Sequence, residues 1–296
     1  MSTVNSYALV TAARDEAANL AALAPTVIGQ TIQPAAWVIV DDGSKDDTPV
    51  IARELAERYP WIVVEHTGRA EHGLREGRRQ GRDLLALQQG LQALPQPVDL
   101  ITKLDADVTL PSDYFERLVD AFRSDPDLGM ATGTRYELED GQWQPRHLTA
   151  TAVAAQCRTY RWTCWQQVQP LEPCLGWDGV DEARAVIAGW HTRVIPGLVF
   201  RHHRPMGQRD GSGLRARAAE GVAAYYMGYR PTYLLARVLW HARRDATALG
   251  MIWGWATALV GRERRCPDPA VRAYVRRQQS ARYLARRLRE VRRGTG

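Results

Sequence analysis

Short apolar runs alternate with amphipathic stretches along much of the chain. Four of these runs predict buried strands, at residues 7–12, 37–40, 61–65 and 100–104. The segments between them carry apolar residues at helical spacing, as Leu20, Leu23 and Val27 do in the first. Strands that alternate with helices in this way are typical of an α/β fold with a mainly parallel central sheet and flanking helices.

The pattern becomes mixed in the second half of the chain. It predicts a strand at residues 129–136, a hairpin turn at 137–145 and a helical or mixed segment at 149–168. A helix at 176–189 and a last strand at 194–200 follow. From residue 207 onward we expect helices rich in Tyr, Trp and Arg. We therefore predict two domains, with a boundary after residue 206 and a helical, arginine-rich extension at 207–296.

Two carboxylates follow the fourth predicted strand directly. Asp105 and Asp107 are two residues apart, so both side chains can reach one point beyond the carboxyl end of that strand. Ligands of open parallel sheets bind at this edge. Two carboxylates at one point favour a divalent cation such as Mg²⁺ or Mn²⁺. A solvated strand end or an Asx-turn is the alternative interpretation.

The composition is that of an ordinary globular protein, with 45% hydrophobic and 24% charged residues among 296. Residues 1–5 are polar and the apolar run at 7–12 is short, so we expect no secretory leader. The four cysteines form no C-x-x-C pair, which argues against a zinc site and favours reduced thiols in the cytoplasm.

The net charge of +6 is distributed unevenly. Twelve arginines fall between residues 261 and 296, where only three acidic residues oppose them. The uncharged run at 246–261 is too short to span a bilayer, but the basic and apolar residues at 270–293 suit a peripheral helix on an anionic membrane surface. A helical lid or a homodimer interface is the alternative. Nucleic acid would suit the charge, but no motif supports it, and we expect none.

Three segments carry a family resemblance. They are Val-Asp-Asp-Gly-Ser-Lys-Asp-Asp-Thr at 40–48, Lys-Leu-Asp-Ala-Asp at 103–107 and the glycine- and acid-rich stretch at 176–190. Because these segments occur in this order within residues 7–204, the chain resembles the family 2 glycosyltransferases, which are inverting enzymes with the GT-A fold. It resembles in particular bacterial members that build exopolysaccharides or surface glycans.

The resemblance implies a nucleotide-diphosphate sugar as the donor, with UDP as the expected nucleotide. It assigns Asp41 or Asp42 to the base and puts Arg14 and Glu16 in a loop beside the nucleotide. It also places Lys103 and Asp105 at the nucleotide site.

The resemblance further implies that Asp105 and Asp107 hold Mg²⁺ or Mn²⁺, which bridges the diphosphate. A late histidine of the family joins the metal or touches the diphosphate, and we assign this role to His203 ahead of His202. The loop at residues 69–82 is a further candidate for a diphosphate contact, through Arg75, Arg78 and Arg79.

The general base of the family is a carboxylate in the 176–190 stretch. Arg184 and the Ala-Gly-Trp turn at 188–190 match later landmarks of the motif, and counting back puts Asp178 in the place of the base. Asp181 is the second choice and Glu182 the third. The sequence departs from the family's Glu-Asp pair here, and a helix N-cap is the alternative interpretation.

The predicted function is therefore transfer of a sugar to a hydroxyl of a glycan or lipid-linked acceptor, in polysaccharide biosynthesis. The absence of Gln-x-x-Arg-Trp after residue 182 favours a single addition over a processive polymerase. The alternative is a non-catalytic nucleotide-sugar-binding or membrane-associated scaffold module. We expect a cytoplasmic protein, peripheral on the inner face of the membrane. A dehydrogenase or a nucleotidyltransferase would need glycines after the first strand, and residues 11–16 have none.

Overall fold

The computed structural model describes residues 4–68, 77, 80–146, 152–204, 213–243, 245–280 and 283. These residues form two compact units. The first unit contains the described residues up to 68, then 83–169 and 189–204. The second contains 77, 80–82, 170–188 and the described residues from 213 onward.

The first unit contains a single nine-stranded sheet with flanking helices. Its elements in chain order are β1 (Tyr7–Ala13), α1 (Ala17–Ile28), β2 (Ala36–Asp41), α2 (Thr48–Arg58), β3 (Ile62–His66), α3 (Arg82–Gln92), β4 (Leu100–Leu104), β5 (Val108–Thr109), α4 (Tyr114–Ser124), β6 (Leu128–Glu139), β7 (Gln142–Arg146), β8 (Cys157–Arg161), α5 (Trp162–Gln167) and β9 (His191–His202). The α/β fold predicted from the sequence is confirmed.

The strand order is β3-β2-β1-β4-β8-β6-β9-β5, with β7 paired to β6. The first four strands in this order are parallel, as predicted. The rest of the sheet is mixed: β8 is antiparallel to both β4 and β6, while β9 is parallel to β6. The carboxyl ends of β1, β2 and β4 therefore meet at one edge.

Large buried side chains fill the core of the first unit. Tyr114, Phe115 and Phe122 line one face of α4 and are at most 1% exposed. Trp37 of β2 is fully buried, and its indole nitrogen donates to Thr11 Oγ1 at 2.9 Å. Burying a side chain of this size stabilises the fold by about 1.5–3 kcal/mol, so these residues fix the position of the sheet edge.

The second unit is helical. Its elements are α6 (Trp177–Ile187), α7 (Leu214–Tyr226), α8 (Pro231–Ala242), a 3₁₀ turn (Ala246–Leu249), α9 (Gly250–Val260) and α10 (Pro269–Gln278). Among the described residues, no helix is long and apolar enough to cross a bilayer. The domain boundary after residue 206 stays a prediction. By their contacts, residues 170–188 belong to the same unit as the helices after that residue.

Two elements differ from their predicted form. The segment at 149–168 contains β8 as well as a short helix, because β8 completes the ladder between β4 and β6. The last strand runs from His191 to His202 instead of 194–200, since it pairs with β6 across register shifts. The hairpin turn is confirmed, with positive φ at both Asp140 and Gly141. All four cysteines are free thiols.

Candidate active site

Three loops meet at the carboxyl edge of the parallel strands. They follow β1, β2 and β4, and they carry the acidic and basic residues singled out in the sequence. Ladder pairing fixes their alignment, because Ala13 lies opposite Asp41 and Val10 lies opposite Lys103. The structure therefore gathers most of the predicted donor residues in one region of the first unit.

The loops after β1 and β2 are joined by hydrogen bonds between side chains and backbone. Ser44 Oγ accepts from the Asp15 amide at 3.0 Å, and Asp15 Oδ1 accepts from the Lys45 amide at 2.7 Å. Asp46 Oδ2 accepts from the Ala17 amide at 3.0 Å, which caps the start of α1. The pair of loops forms a preorganised rim.

Asp41 and Asp42 are both buried at the end of β2. Asp41 accepts from the Ser44 amide at 3.1 Å and lies 3.3 Å from His66 Nδ1. Asp42 accepts from the Thr67 hydroxyl. Their side chains are held in place, as a base-recognising carboxylate requires. Arg14 is half-buried at the end of β1.

Glu16 is 1% exposed and lies at the N-cap of α1, outside its first turn. Arg204, which follows β9, contacts both of its carboxylate oxygens, at 2.8 and 2.6 Å. Such a bidentate pair is stronger and more directional than a single ion pair. Glu16 therefore anchors Arg204. The guanidinium of Arg204 also lies 3.7 Å from Asp107 Oδ2.

Asp105 lies just beyond β4, and Lys103 Nζ donates to its carboxylate. The same ammonium donates to the Ala155 carbonyl at 3.2 Å, so Lys103 is buried between them. Burial raises the pKa of Asp105, and the nearby charge of Lys103 opposes that rise. Lys103 thus balances the charge at the first carboxylate of the pair.

Asp107 is 5% exposed and faces His202, the last residue of β9. His202 Nε2 lies 3.5 Å from Asp107 Oδ1, and its Nδ1 lies 3.2 Å from Glu137 Oε1. Burial opposes protonation, but hydrogen bonding to Asp107 and Glu137 raises the pKa of His202 to about 9. Burial also works against ionisation of Asp107, yet the contact with His202 holds the pKa of Asp107 below its usual value.

His203 is placed differently from its prediction as a metal ligand. Its Nε2 is 2.8 Å from Thr109 Oγ1, and its ring packs edge-on against Trp143 with centroids 5.3 Å apart. Adjacent residues at a strand end point to opposite faces, so only one of the two histidines can face Asp107. That residue is His202, so His202 joins the candidate metal site, and the metal role of His203 stays a prediction.

The residues at this edge fit a hard divalent cation. Among the described residues no three ligands are already gathered at coordination distance. Asp107 Oδ1 is nevertheless buried with no close hydrogen-bond partner, since its 3.5 Å contact with His202 Nε2 is long, and Asp105 is two residues away. Two carboxylates with an imidazole nitrogen suit Mn²⁺ or Mg²⁺. Glu137 holds Nδ1 of His202, which leaves Nε2 for the metal.

The candidate bases lie in the second unit, on α6. Gly176 precedes the helix with φ of 96°, a left-handed conformation that lets the chain turn into it. Asp178 is half-buried in the first turn, whereas Asp181 is fully buried. Arg184 donates to Asp268 Oδ2 at 3.1 Å and so ties α6 to the start of α10. Exposure favours Asp178 over Asp181 as the residue that meets an acceptor.

The sequence did not single out Glu137. Glu137 belongs to a hairpin strand whose alternation shows no catalytic motif, and its partner His202 is 65 residues away. Trp165 of the first unit and Trp177 of the second are both buried, at 5% and 3% exposure. The three arginines assigned to the diphosphate, Arg75, Arg78 and Arg79, lie outside the described residues.

A family comparison decides the affiliation of the chain. The model of glycosyl transferase family 2 matches residues 8–175, more than half of the sequence. The chain belongs to glycosyl transferase family 2. The match contains β1 to β4 and both carboxylate-bearing loops of the site.

Solved structures of glycosyltransferases share the fold of this family member. The mannosyltransferase PcManGT from Pyrobaculum calidifontis, in complex with GDP-Man and Mn²⁺, has a TM-score of 0.58 at 14% identity and covers 97% of this chain and 84% of its own. S. aureus TarS 1–349 with UDP-GlcNAc gives 0.54 at 14% identity, over 82% of this chain and 74% of its own. Identities this low concern the fold alone, which is GT-A.

A curated relative shares a shorter stretch of sequence. The beta-monoglucosyldiacylglycerol synthase of Synechocystis sp. (strain ATCC 27184 / PCC 6803 / Kazusa) is 35% identical over 86 residues. The match covers 29% of this chain and 16% of that protein. It therefore relates one segment of the two proteins.

Proposed function

We propose that the protein is an inverting glycosyltransferase that moves a sugar from a nucleotide-diphosphate sugar, expected to be UDP-linked, to an acceptor hydroxyl. The observation that carries this proposal is the placement of Asp105 just beyond β4, with Asp107 two residues on and facing His202, beside the loops after β1 and β2. Neighbouring structures hold GDP-Man with Mn²⁺ or UDP-GlcNAc, which supports a nucleotide-sugar donor and a divalent ion.

The donor site is proposed as follows. Asp41 and Asp42 accept hydrogen bonds from the base, and Arg14 lies beside the nucleotide. Glu16 acts through Arg204, which it orients by the bidentate contact. Lys103 forms an ion pair with Asp105 and offsets part of its negative charge.

Asp105, Asp107 and His202 would hold Mg²⁺ or Mn²⁺ against the diphosphate. A divalent ion there supplies Lewis-acid stabilisation of the charge on the departing nucleoside diphosphate. Asp178 accepts the proton of the acceptor hydroxyl, whose oxygen attacks the anomeric carbon from the face opposite the leaving group. One displacement of this kind inverts the configuration.

The acceptor is proposed to be a glycan or a lipid-linked acceptor in polysaccharide biosynthesis. We propose that the protein works on the cytoplasmic side of the membrane and is bound to it peripherally. The cyanobacterial relative is named for a glucosylated diacylglycerol, which supports an acceptor of lipid character. The cationic carboxyl-terminal segment supports association with anionic lipid.

Thermal unfolding with a panel of nucleoside diphosphates, with and without Mn²⁺, tests the donor site. Binding to the native state alone raises the melting temperature, by an amount that grows with ligand concentration above the Kd. We expect a Mn²⁺-dependent rise with UDP. Asp107→Asn and His202→Ala should remove the Mn²⁺ dependence, and His203→Ala should keep it.

The same experiment separates an enzyme from a scaffold. If the protein is folded and none of the nucleoside diphosphates raises its melting temperature, the proposed donor site is contradicted. A metal-dependent shift without hydrolysis or transfer of any UDP-sugar would instead favour the non-catalytic module.

A further inference from the structure

The outer faces of α8 and α9 are apolar and exposed. Of the twelve large apolar side chains exposed among the described residues, eight lie between residues 235 and 260. Trp240 is 63% exposed, Trp253 52% and Val260 83%. We define the α8/α9 apolar surface as Leu235, Leu239, Trp240, Ile252, Trp253 and Val260. Such a concentration of exposed apolar residues marks an interaction site.

Both helices already bury an inner face. Leu234 and Val238 of α8 pack with Met251 of α9 and with Ala248 in one cluster. The residues of the α8/α9 apolar surface lie on the remaining sides, and α9 contains no charged residue at all. A helix that is apolar all round is normally covered on all sides. The exposed faces therefore have a second apolar environment.

Positive charge borders this surface. The Arg243 guanidinium lies 5.2 Å from the ring centroid of Trp240, and exposed Arg262 follows the end of α9, whereas Arg264 is paired with Glu172 at 2.9 Å. The nearby acid Asp245 is paired with Arg217 at 3.2 Å. After residue 206 the sequence has nineteen arginines against six acidic residues. The apolar residues thus belong to the most cationic part of the sequence.

We infer that the α8/α9 apolar surface docks on an anionic phospholipid bilayer, with Trp240 and Trp253 at the level of the head groups and the arginines against lipid phosphates. Tryptophan favours this interface, and arginine near an anionic surface adds to binding. With eleven residues, α9 reaches only about 16 Å, which suits lying on the bilayer and not crossing it.

The inference rests on the membrane association in the proposed function and assigns it to a defined surface, where the sequence had pointed to residues 270–293. Charge favours lipid over a second copy of the chain as the occupant. Two copies joined by this surface would bring like-charged arginines together, which opposes association.

Co-sedimentation with vesicles tests the inference with the full chain. We expect binding to phosphatidylcholine vesicles that contain phosphatidylglycerol, and much weaker binding to phosphatidylcholine alone. The double change Trp240→Gln and Trp253→Gln should lower the partition coefficient at least ~10-fold. Arg243→Gln and Arg262→Gln should each lower it about fivefold. Val50→Gln, at a 43% exposed residue of the first unit, is the matched control and should bind as the wild type does.

Two outcomes would overturn the inference. One is absence of binding to anionic vesicles by the folded wild-type protein. The other is a concentration-dependent dimer, detected by sedimentation, that the tryptophan changes abolish without affecting vesicle binding. The melting shift with UDP and Mn²⁺ is measured on the same variants, so that failure of the donor site is recognised separately from failure of the membrane surface.

Discussion

Glu137 lies behind the candidate metal site and holds His202 through Nδ1. Removing its charge while keeping its size, as in Glu137→Gln, leaves the imidazole less firmly oriented and a weaker ligand. Loss of such an outer contact costs about 10–100-fold in metal affinity. We expect Mn²⁺ affinity in the presence of UDP to fall by that factor, measured by calorimetric titration.

Glu139 provides the matched control on the same strand. It is exposed and, like Glu137, pairs with Arg146, at 3.1 Å. The carboxylate that holds His202 Nδ1 is that of Glu137. Glu139→Gln should leave Mn²⁺ affinity unchanged. Equal losses in both variants would mean that the hairpin, and not the contact with His202, sets the affinity.

Asp178 is the carboxylate proposed to remove the acceptor proton. A positioned general base is worth ~10²–10⁴ in rate, so Asp178→Asn should lower kcat by that factor. The melting shift with UDP and Mn²⁺ should persist, because the donor residues lie on other loops. Glu182→Gln changes the third-choice carboxylate, four residues along the same helix, and should keep kcat near the wild-type value if Asp178 is the base. Near-normal turnover by folded Asp178→Asn would remove Asp178 from this role.

The two adjacent histidines show where sequence reasoning stops at this scale. The motif predicts a histidine after the last strand, but which one faces Asp107 depends on the strand's register. The register of β9 against β6 is shifted at two places, and local sequence does not encode such shifts. The position of the carboxylates was easier to predict, because Asp105 and Asp107 directly follow a mostly apolar run that forms β4.

Close packing of α7 and α9 depends on glycines at their contact. A Cβ atom on Gly254 would lie 1.9 Å from the Ala218 carbonyl oxygen, so the helices would have to separate. We expect Gly254→Ala to destabilise the protein by about 1–3 kcal/mol, despite the higher helix propensity of alanine. Urea unfolding measures this change.

Gly68 offers a control for the same chemical change. A Cβ atom there meets nothing within 4 Å, so Gly68→Ala should leave stability nearly unchanged. A Gly254→Ala variant as stable as wild type would mean that α7 and α9 adjust without cost.

At the scale of elements, the repeating β-α pattern predicted the parallel half of the sheet well. Residues 100–104 and 7–13 are buried along almost their whole length, as strands of a parallel sheet covered on both faces are. The strand at 157–161 was harder to predict, because its residues Cys-Arg-Thr-Tyr-Arg alternate only weakly and its burial comes from neighbours distant in sequence.

Across the whole molecule, positive charge is concentrated in one part of the sequence. The chain carries +6 overall, although nineteen arginines and six acidic residues follow residue 206, so the remainder is net negative. Attraction to an anionic bilayer should therefore come from the carboxyl-terminal part. Composition showed this asymmetry directly, whereas the exposed side of each helix needed three-dimensional packing.

Ionic strength should separate the two contributions to membrane binding. Salt shortens the range of charge interactions from about 10 Å at 0.1 M to about 3 Å at 1 M, while apolar insertion is not screened. We expect vesicle binding of the wild type to fall steeply with added NaCl. The variant with Trp240→Gln and Trp253→Gln should start lower and fall by the same factor, because its arginines are intact. Since the two contributions are independent, a tryptophan variant insensitive to salt would contradict this division between charge and apolar contact.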